Sequence, residues 1–224
     1  MTMSAKASGE WGGVAERLRA CRVIPVVQLP EVEHARPLGE ALMAAGMSCI
    51  EVTFRSAAAE RGIAELSRIE GLLVGAGTVR SVEQVERARA AGATFIVSPA
   101  LREDVVRAAL ERELLVTPGV CTPTEVEQAL DIGVRVCKFF PADAYGGTKT
   151  LKALSAVYPQ VPFIPTGGIS ADNLAEYLAL KNVLACGGSW LAPPDLLAQR
   201  RFDEVERRAR HALSIAGVAA PERR

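Results

Sequence analysis

The segment VRVCKFFPA, residues 134–142, sets one lysine, Lys138, in an otherwise apolar run. A charged ammonium is unfavourable to bury unless it is paired or gives up its proton. Such a lysine can snorkel to a rim, close a salt bridge, or serve as an amine nucleophile toward a carbonyl carbon. Earlier in the chain, CIEVTFRS (49–56) spaces Glu51, Thr53 and Arg55 by two. In an extended strand all three share one side. The plain reading of Glu51 and Arg55 is an internal ion pair, and Glu51 is also a salt-bridge partner for Lys138. The chemical reading sets an acid and a cation around an amine. A desolvated lysine beside another cation loses its proton more readily, and Arg55 supplies that cation. An imine at Lys138 would be an electron sink, so a neighbouring carbon–carbon bond could break without a metal.

Two glycine pairs form a second group. PTGGIS (165–170) precedes a helical stretch with Ser170 as its N-cap and Asn173 three residues on. CGGSWL (186–191) precedes a short helical turn. Glycines let backbone N–H groups converge on one anion, and helix N-termini favour negative charge. Ser189 adds a hydroxyl donor. Tight turns needing positive φ would account for either pair alone. Both pairs together, after consecutive strands, favour a phosphate cradle.

These residues need a frame. Short apolar runs at 23–29, 48–53, 72–75, 94–98, 114–117, 135–139, 161–166 and 183–186 read as strands. Stretches of helical period at 33–45, 57–69, 82–91, 102–112, 124–132, 148–157, 171–180 and 202–215 alternate with them, and 12–20 reads as an extra helix before the first strand. Strict alternation implies a parallel sheet with right-handed crossovers. Eight such units imply a (β/α)8 TIM barrel with an extra N-terminal helix, as one domain spanning 1–224. The rival is a doubly wound open sheet. It wants a glycine-rich fingerprint after the first strand, and VIPVVQLPEVEHA has none. In a barrel, chemistry sits where strands end, and the glycine, threonine and charged residues quoted above fall at those ends.

Composition narrows the function. Lys plus Arg and Asp plus Glu both number 26, so no basic excess points to nucleic acid. Aromatic residues are only 5% of the chain, which argues against a base-stacking platform. The apolar runs are far shorter than the roughly 20 residues of a membrane span. The opening MTMSAKASGEWGG lacks the apolar stretch of a secretory signal. The five cysteines are widely spaced with no CxxC, and read as small core residues of a reducing cytoplasm. His34 and His211 fall in polar helical stretches and read as solvated residues, so neither metal nor cofactor is expected. The C-terminal AAPERR reads as a fraying end.

Taken in order, EVTFRS, GAGTV, SPA, KFFPA, PTGGIS and GGSWL resemble the bacterial 2-keto-3-deoxy-6-phosphogluconate aldolases, which also act as 4-hydroxy-2-oxoglutarate aldolases. The likeness runs from about Val23 to Leu191. It implies a class I aldolase on a (β/α)8 barrel, a homotrimer without cofactor, serving the Entner–Doudoroff route. Its substrates would be a phosphorylated keto-deoxy sugar acid and pyruvate. By the same resemblance Lys138 is the Schiff-base lysine and Glu51 the proton shuttle working through a water. Arg55 and Thr78 hold the carboxylate, and Thr166 lies near the substrate hydroxyls. Pro99 and Phe140 wall the pocket, while Gly167, Gly168, Gly188 and Ser189 take the phosphate. Two features depart from the family pattern: Tyr145 in the loop PADAYGG, and SPAL where glycine often follows the proline. Thr166 resembles the gluconate-type rather than the galactonate-type enzymes. The rivals are another phosphate-binding barrel enzyme, which would want metal ligands or paired aspartates, and a non-catalytic sugar-phosphate-binding barrel.

Overall fold

Eight strands of period-two sequence give the frame in the computed structural model, which describes residues 7–219. They are β1 (Val23–Val27), β2 (Cys49–Thr53), β3 (Leu73–Gly77), β4 (Phe95–Ser98), β5 (Leu115–Val120), β6 (Cys137–Phe139), β7 (Phe163–Pro165) and β8 (Cys186–Gly188). The order is β7-β6-β5-β4-β3-β2-β1-β8, and every pairing is parallel. Two bridges, Phe163 to Val183 and Thr166 to Gly187, join the ends of this order and close the ring. The helices are α1 (Ala7–Cys21), α2 (Ala35–Ala45), α3 (Ala59–Leu66), α4 (Val82–Ala90), α5 (Glu103–Glu111), α6 (Pro123–Asp131), α7 (Gly147–Val157), α8 (Leu174–Leu178), α9 (Pro194–Ala198) and α10 (Phe202–Ile215). This is the (β/α)8 barrel with an extra helix before β1.

Alternation along each strand divides the core in two. Val27, Ile50, Val52, Val74, Ile96 and Val116 pack outward against the helices. Ile24, Cys49, Leu73, Phe95, Leu115, Val136 and Ile164 form a separate inner cluster with Leu18 and Cys21 of α1. The extra helix therefore closes the floor of the barrel with apolar side chains. The inward positions above that floor are polar: Glu51, Thr117, Lys138 and Thr166, all buried.

Several boundaries depart from the sequence reading. The sixth and seventh strands are shorter, Cys137–Phe139 and Phe163–Pro165. Pro162 and Pro165 have no N–H to give a ladder. The eighth strand falls later, because its ladder to β1 runs from Cys186 to Gly188. The helix expected at 171–180 is only Leu174–Leu178, since the Asn173 side chain accepts from Ser170 N at 2.9 Å and holds the preceding residues in a turn. Ser170 is therefore not its N-cap. His34 is buried rather than solvated: a one-turn 3-10 helix, Val32–His34, precedes α2 and sets its ring 6.2 Å from that of Phe202 on α10. His211 is exposed. Residues 1–6, which begin the segment read as lacking a signal, and 220–224, most of the end read as fraying, lie outside the described residues.

All five cysteines are free thiols, four of them buried and Cys121 half-buried. Burial pushes Cys137 and Cys186 up to about 12, the behaviour of inert core thiols. Cys21 differs, lowered to about 6 by a hydrogen bond with the Cys49 thiol against the opposing effect of burial.

The turn from β5 into α6 keeps the strand beside Lys138 in place. Thr122 Oγ1 accepts from Glu125 N at 3.3 Å, and Glu125 Oε2 accepts from Thr122 N at 2.9 Å and from Cys121 N at 2.9 Å. This is a reciprocal capping box with Pro123 at the first helical position. Replacing Thr122 by alanine is expected to lower stability by about 1 kcal/mol, read as an earlier midpoint in urea unfolding with unchanged slope. An unchanged midpoint would mean that Glu125 holds the turn alone.

Candidate active site

β2 and β6 lie on opposite sides of the ring, four places apart in either direction. Their inward side chains cross the interior and meet. Lys138 Nζ stands 3.7 Å from Glu51 Oε1, with the two side chains 7% and 4% exposed. That separation makes an ion pair but is longer than a charge-assisted hydrogen bond. Glu51 Oε1 accordingly has no hydrogen-bond partner among the described residues. The pair meets only because β3 ends in glycine: a methyl group on Gly77 would overlap the Glu51 carboxylate. Phe140, half-buried, places its ring 5.0 Å from Lys138 Nζ, a cation–π contact on the apolar side of the amine. Cys137 and Phe139, the flanking residues on the strand, point outward into the helix-facing core.

Two further oxygens face the same interior. Thr117 Oγ1 and Thr166 Oγ1 are buried without hydrogen-bond partners among the described residues. A buried unsatisfied polar group costs about 1–3 kcal/mol. Three such oxygens around one lysine describe a chamber built for a polar ligand rather than for packing. Thr117 is absent from the sequence-derived set. Its signal was available in the alternation of Leu115, Thr117 and Gly119, the last paired with Lys138.

Arg55 departs from its expected place. The strand ends at Thr53, and Arg55 sits exposed on the following turn, where its N–H donates to Thr53 O at 2.7 Å. It makes no ion pair with Glu51, and the charged partner of Lys138 is the acid rather than a neighbouring cation. Arg55 instead lines a cavity of about 210 Å³ at the mouth, together with Thr53 and Ser189. Thr78, half-buried after β3, has φ 55°. A β-branched residue in the left-handed region is strained by about 1–3 kcal/mol. The turn is tied down by Phe54 N donating to Gly77 O at 2.7 Å.

The glycine rim lies at the ends of β7 and β8. Gly167 and Gly168 have φ of 97° and 79°, a consecutive left-handed pair that only glycine adopts readily. The loop after β6 is stitched to it: Ala142 N donates to Thr166 O at 2.8 Å and Asp143 N to Gly167 O at 3.0 Å. Asn173 Nδ2 donates to Gly168 O at 2.9 Å. Gly188 is buried and Ser189 exposed beside it. The helices that follow, α8 and α9, are five residues each. Their dipoles are short, so the donors this rim offers an anion are its loop N–H groups and the Ser189 hydroxyl. Pro99 is half-buried at the end of β4, and Tyr145 stands exposed in the loop after β6. Among the described residues no cluster of three or more His, Cys, Asp or Glu is placed to hold a metal ion.

Comparison with known proteins adds identity to this geometry. Residues 14–208 match the aldolase family described as KDPG and KHG aldolase. The 2-dehydro-3-deoxy-phosphogluconate aldolase of Treponema pallidum is 47% identical over 206 residues, 92% of this chain and 98% of that protein. The KHG/KDPG aldolase of Escherichia coli K12 is 42% identical over 195 residues, 87% of this chain and 92% of that protein. Among solved structures, the KDPG aldolase of Legionella pneumophila, with pyruvate captured at low pH as a covalent carbinolamine intermediate, superposes with a TM-score of 0.85. It is 38% identical and covers 89% of this chain and 97% of that one.

The clearance at Gly77 gives a direct test. Gly77→Ala is expected to lose about 1–3 kcal/mol of stability by overpacking, with Glu51 displaced from Lys138. Gly13→Ala, where an added methyl meets nothing within 4 Å, is the control and should not destabilise. Equal denaturation midpoints for the two variants would mean that Glu51 moves aside freely.

Proposed function

The chain belongs to the KDPG and KHG aldolase family, and on that premise we propose that it cleaves 2-keto-3-deoxy-6-phosphogluconate to pyruvate and glyceraldehyde 3-phosphate. It is a class I pyruvate aldolase, a carbon–carbon lyase. The same lysine chemistry cleaves 4-hydroxy-2-oxoglutarate to pyruvate and glyoxylate. The observation that carries this reading is the buried Lys138–Glu51 pair spanning opposite strands beneath a glycine rim.

The amine must be neutral to attack, and Glu51 is the acceptor nearest its proton. Lys138 adds to the C2 ketone, and Glu51, through a water, returns the proton as carbinolamine hydroxyl leaves as water. The resulting imine draws electrons from the C3–C4 bond. Glu51 takes the C4 hydroxyl proton, the bond breaks, and the aldehyde departs. The enamine left on Lys138 is protonated at C3 and hydrolysed to pyruvate and free lysine. Arg55, at the mouth, suits a bidentate hold on the C1 carboxylate, with Thr78 beside it. Thr166 faces the substrate hydroxyls, while Pro99 and Phe140 form the wall. Gly167, Gly168, Gly188 and Ser189 receive the phosphate. Free thiols at all five cysteines suit a reducing cytoplasm, and the working unit in this reading is a homotrimer, to be measured by light scattering.

Borohydride reduction in the presence of pyruvate is expected to leave a reduced pyruvyl adduct on Lys138, located by peptide mass mapping. Lys138→Ala should abolish both adduct and turnover. That variant strands Glu51, a change worth about 3–5 kcal/mol for a buried pair, so Lys138→Met with Glu51→Gln serves as its folded counterpart. Wild-type protein that is folded but forms no adduct would favour a non-catalytic sugar-phosphate-binding barrel.

Glu51→Gln keeps the shape and removes the base. Turnover should fall by roughly 10²–10⁴ while pyruvate still binds. A near-normal rate would remove Glu51 from the proton transfers.

A further inference from the structure

The roles assigned above leave β1 and β5 without a side chain, and of these β1 lies between the two anionic ends of the substrate. The carboxylate end of the substrate goes to β2 and β3, the phosphate end to β7 and β8. Between β8 and β2 lies β1, hydrogen-bonded to both. Its inward positions follow from register and packing. Ile24 belongs to the inner cluster, Val27 and Leu29 to the outer one, and Val26 is paired with Glu51. By the period of two, Gln28 is the next inward residue, just past the strand end at the mouth.

Gln28 lines the 210 Å³ mouth cavity with Val26, Thr53, Arg55, Ser189 and Ala192. The polar groups of that cavity are not equivalent. Thr53 Oγ1 already donates to Val27 O at 3.1 Å. Arg55 and Ser189 carry the roles given above. The Gln28 amide is half-buried and makes no hydrogen bond among the described residues. A primary amide is neutral, with donors and an acceptor on one planar group. It suits a hydroxyl, which is itself donor and acceptor, better than an anion. Placed between the carboxylate and phosphate ends, it faces the middle of the distal half of the substrate.

We propose that Gln28 is a specificity-determining residue that reads the C5 hydroxyl of the sugar-acid phosphate. It thereby favours the hydroxylated aldehyde half over shorter acceptors. This rests on the aldolase reading above. The two substrates of that reading differ at the point in question. 4-Hydroxy-2-oxoglutarate has a carboxylate where the sugar acid has C5 with its hydroxyl and C6 with its phosphate. The C1 to C4 portion, which Lys138 and Glu51 handle, is common to both.

The test compares kcat/KM for both substrates in wild type and Gln28→Ala. Cleavage of 2-keto-3-deoxy-6-phosphogluconate should fall about tenfold, one hydrogen bond's worth, with 4-hydroxy-2-oxoglutarate changed less than about twofold. The retained activity also shows that the variant folds. Run in the addition direction with pyruvate, wild type should prefer glyceraldehyde 3-phosphate over 3-oxopropyl phosphate, which lacks the hydroxyl, by about tenfold. Gln28→Ala should lose that preference. Equal loss on both substrates, or no loss on either, overturns the proposal. So does a preference for the hydroxylated aldehyde that survives in Gln28→Ala. A wild-type protein that forms no pyruvyl adduct on Lys138 and cleaves neither substrate would overturn the aldolase reading itself.

Discussion

One ion pair organises the interior. Lys138 and Glu51 stand at the centre of the barrel, each almost wholly removed from water. Taking two charges out of water is unfavourable by several kcal/mol per ion, and mutual attraction offsets this only with good geometry and further hydrogen bonds. Here the geometry is loose at 3.7 Å, and one carboxylate oxygen has no other partner. A pair designed only for stability would close to hydrogen-bond distance and satisfy its remaining lone pairs. A pair held slightly apart leaves one carboxylate oxygen open to a further partner.

The rest of the barrel makes that looseness tolerable. Below, α1 closes the floor with Leu18 and Cys21 in one apolar cluster with Phe95, Leu115 and Val136. To the side, Gly77 gives the carboxylate its room. Above, the left-handed Gly167–Gly168 pair and the strained Thr78 shape the entrance. Apolar packing against the nine helices α2 to α10, spread over the outer cluster, is what offsets a polar interior with three unsatisfied oxygens. Stability is thus concentrated outside the strands and chemistry inside them.

The sequence made the alternation of strand and helix plain, because each apolar run is short and is separated from the next by a stretch of helical period. The last helix, α10, was legible at both ends, whereas α1, read as 12–20, runs from Ala7 to Cys21. The ends of β6, β7 and β8 were not, since Pro162 and Pro165 give no N–H to a ladder and the eighth ladder runs through Gly187 and Gly188, which carry no strand signal. Lys138 and Glu51 stood out as charges in apolar strands. Arg55 was legible as a cation near the mouth but not as an exposed one. The period of two that places 51 and 53 inside stops applying once the strand ends at Thr53. His34 was misread because its burial comes from contact with Phe202, 168 positions later in the chain, which no local pattern encodes. Thr117 and Gln28 went unremarked because a threonine or a glutamine among hydrophobic residues carries no charge to draw the eye.

That last pair exposes how the ring divides its work. Opposite strands bring their side chains together at the axis, and β2 and β6 bring Glu51 and Lys138 to 3.7 Å there. Recognition of an extended substrate needs groups spread along an arc, and neighbouring strands provide it. In the proposed reading C2 is held on β6, so a carboxylate reaching β2 and β3 and a phosphate reaching β7 and β8 diverge. Any group that tells one aldehyde half from another then belongs on the strand between those ends. In the order β7, β8, β1, β2 that strand is fixed by topology before any side chain is considered. In the proposed reading a neutral amide there discriminates by shape and hydrogen bonding, leaving Arg55 on one side and the loop N–H groups with Ser189 on the other to bind the two anionic ends.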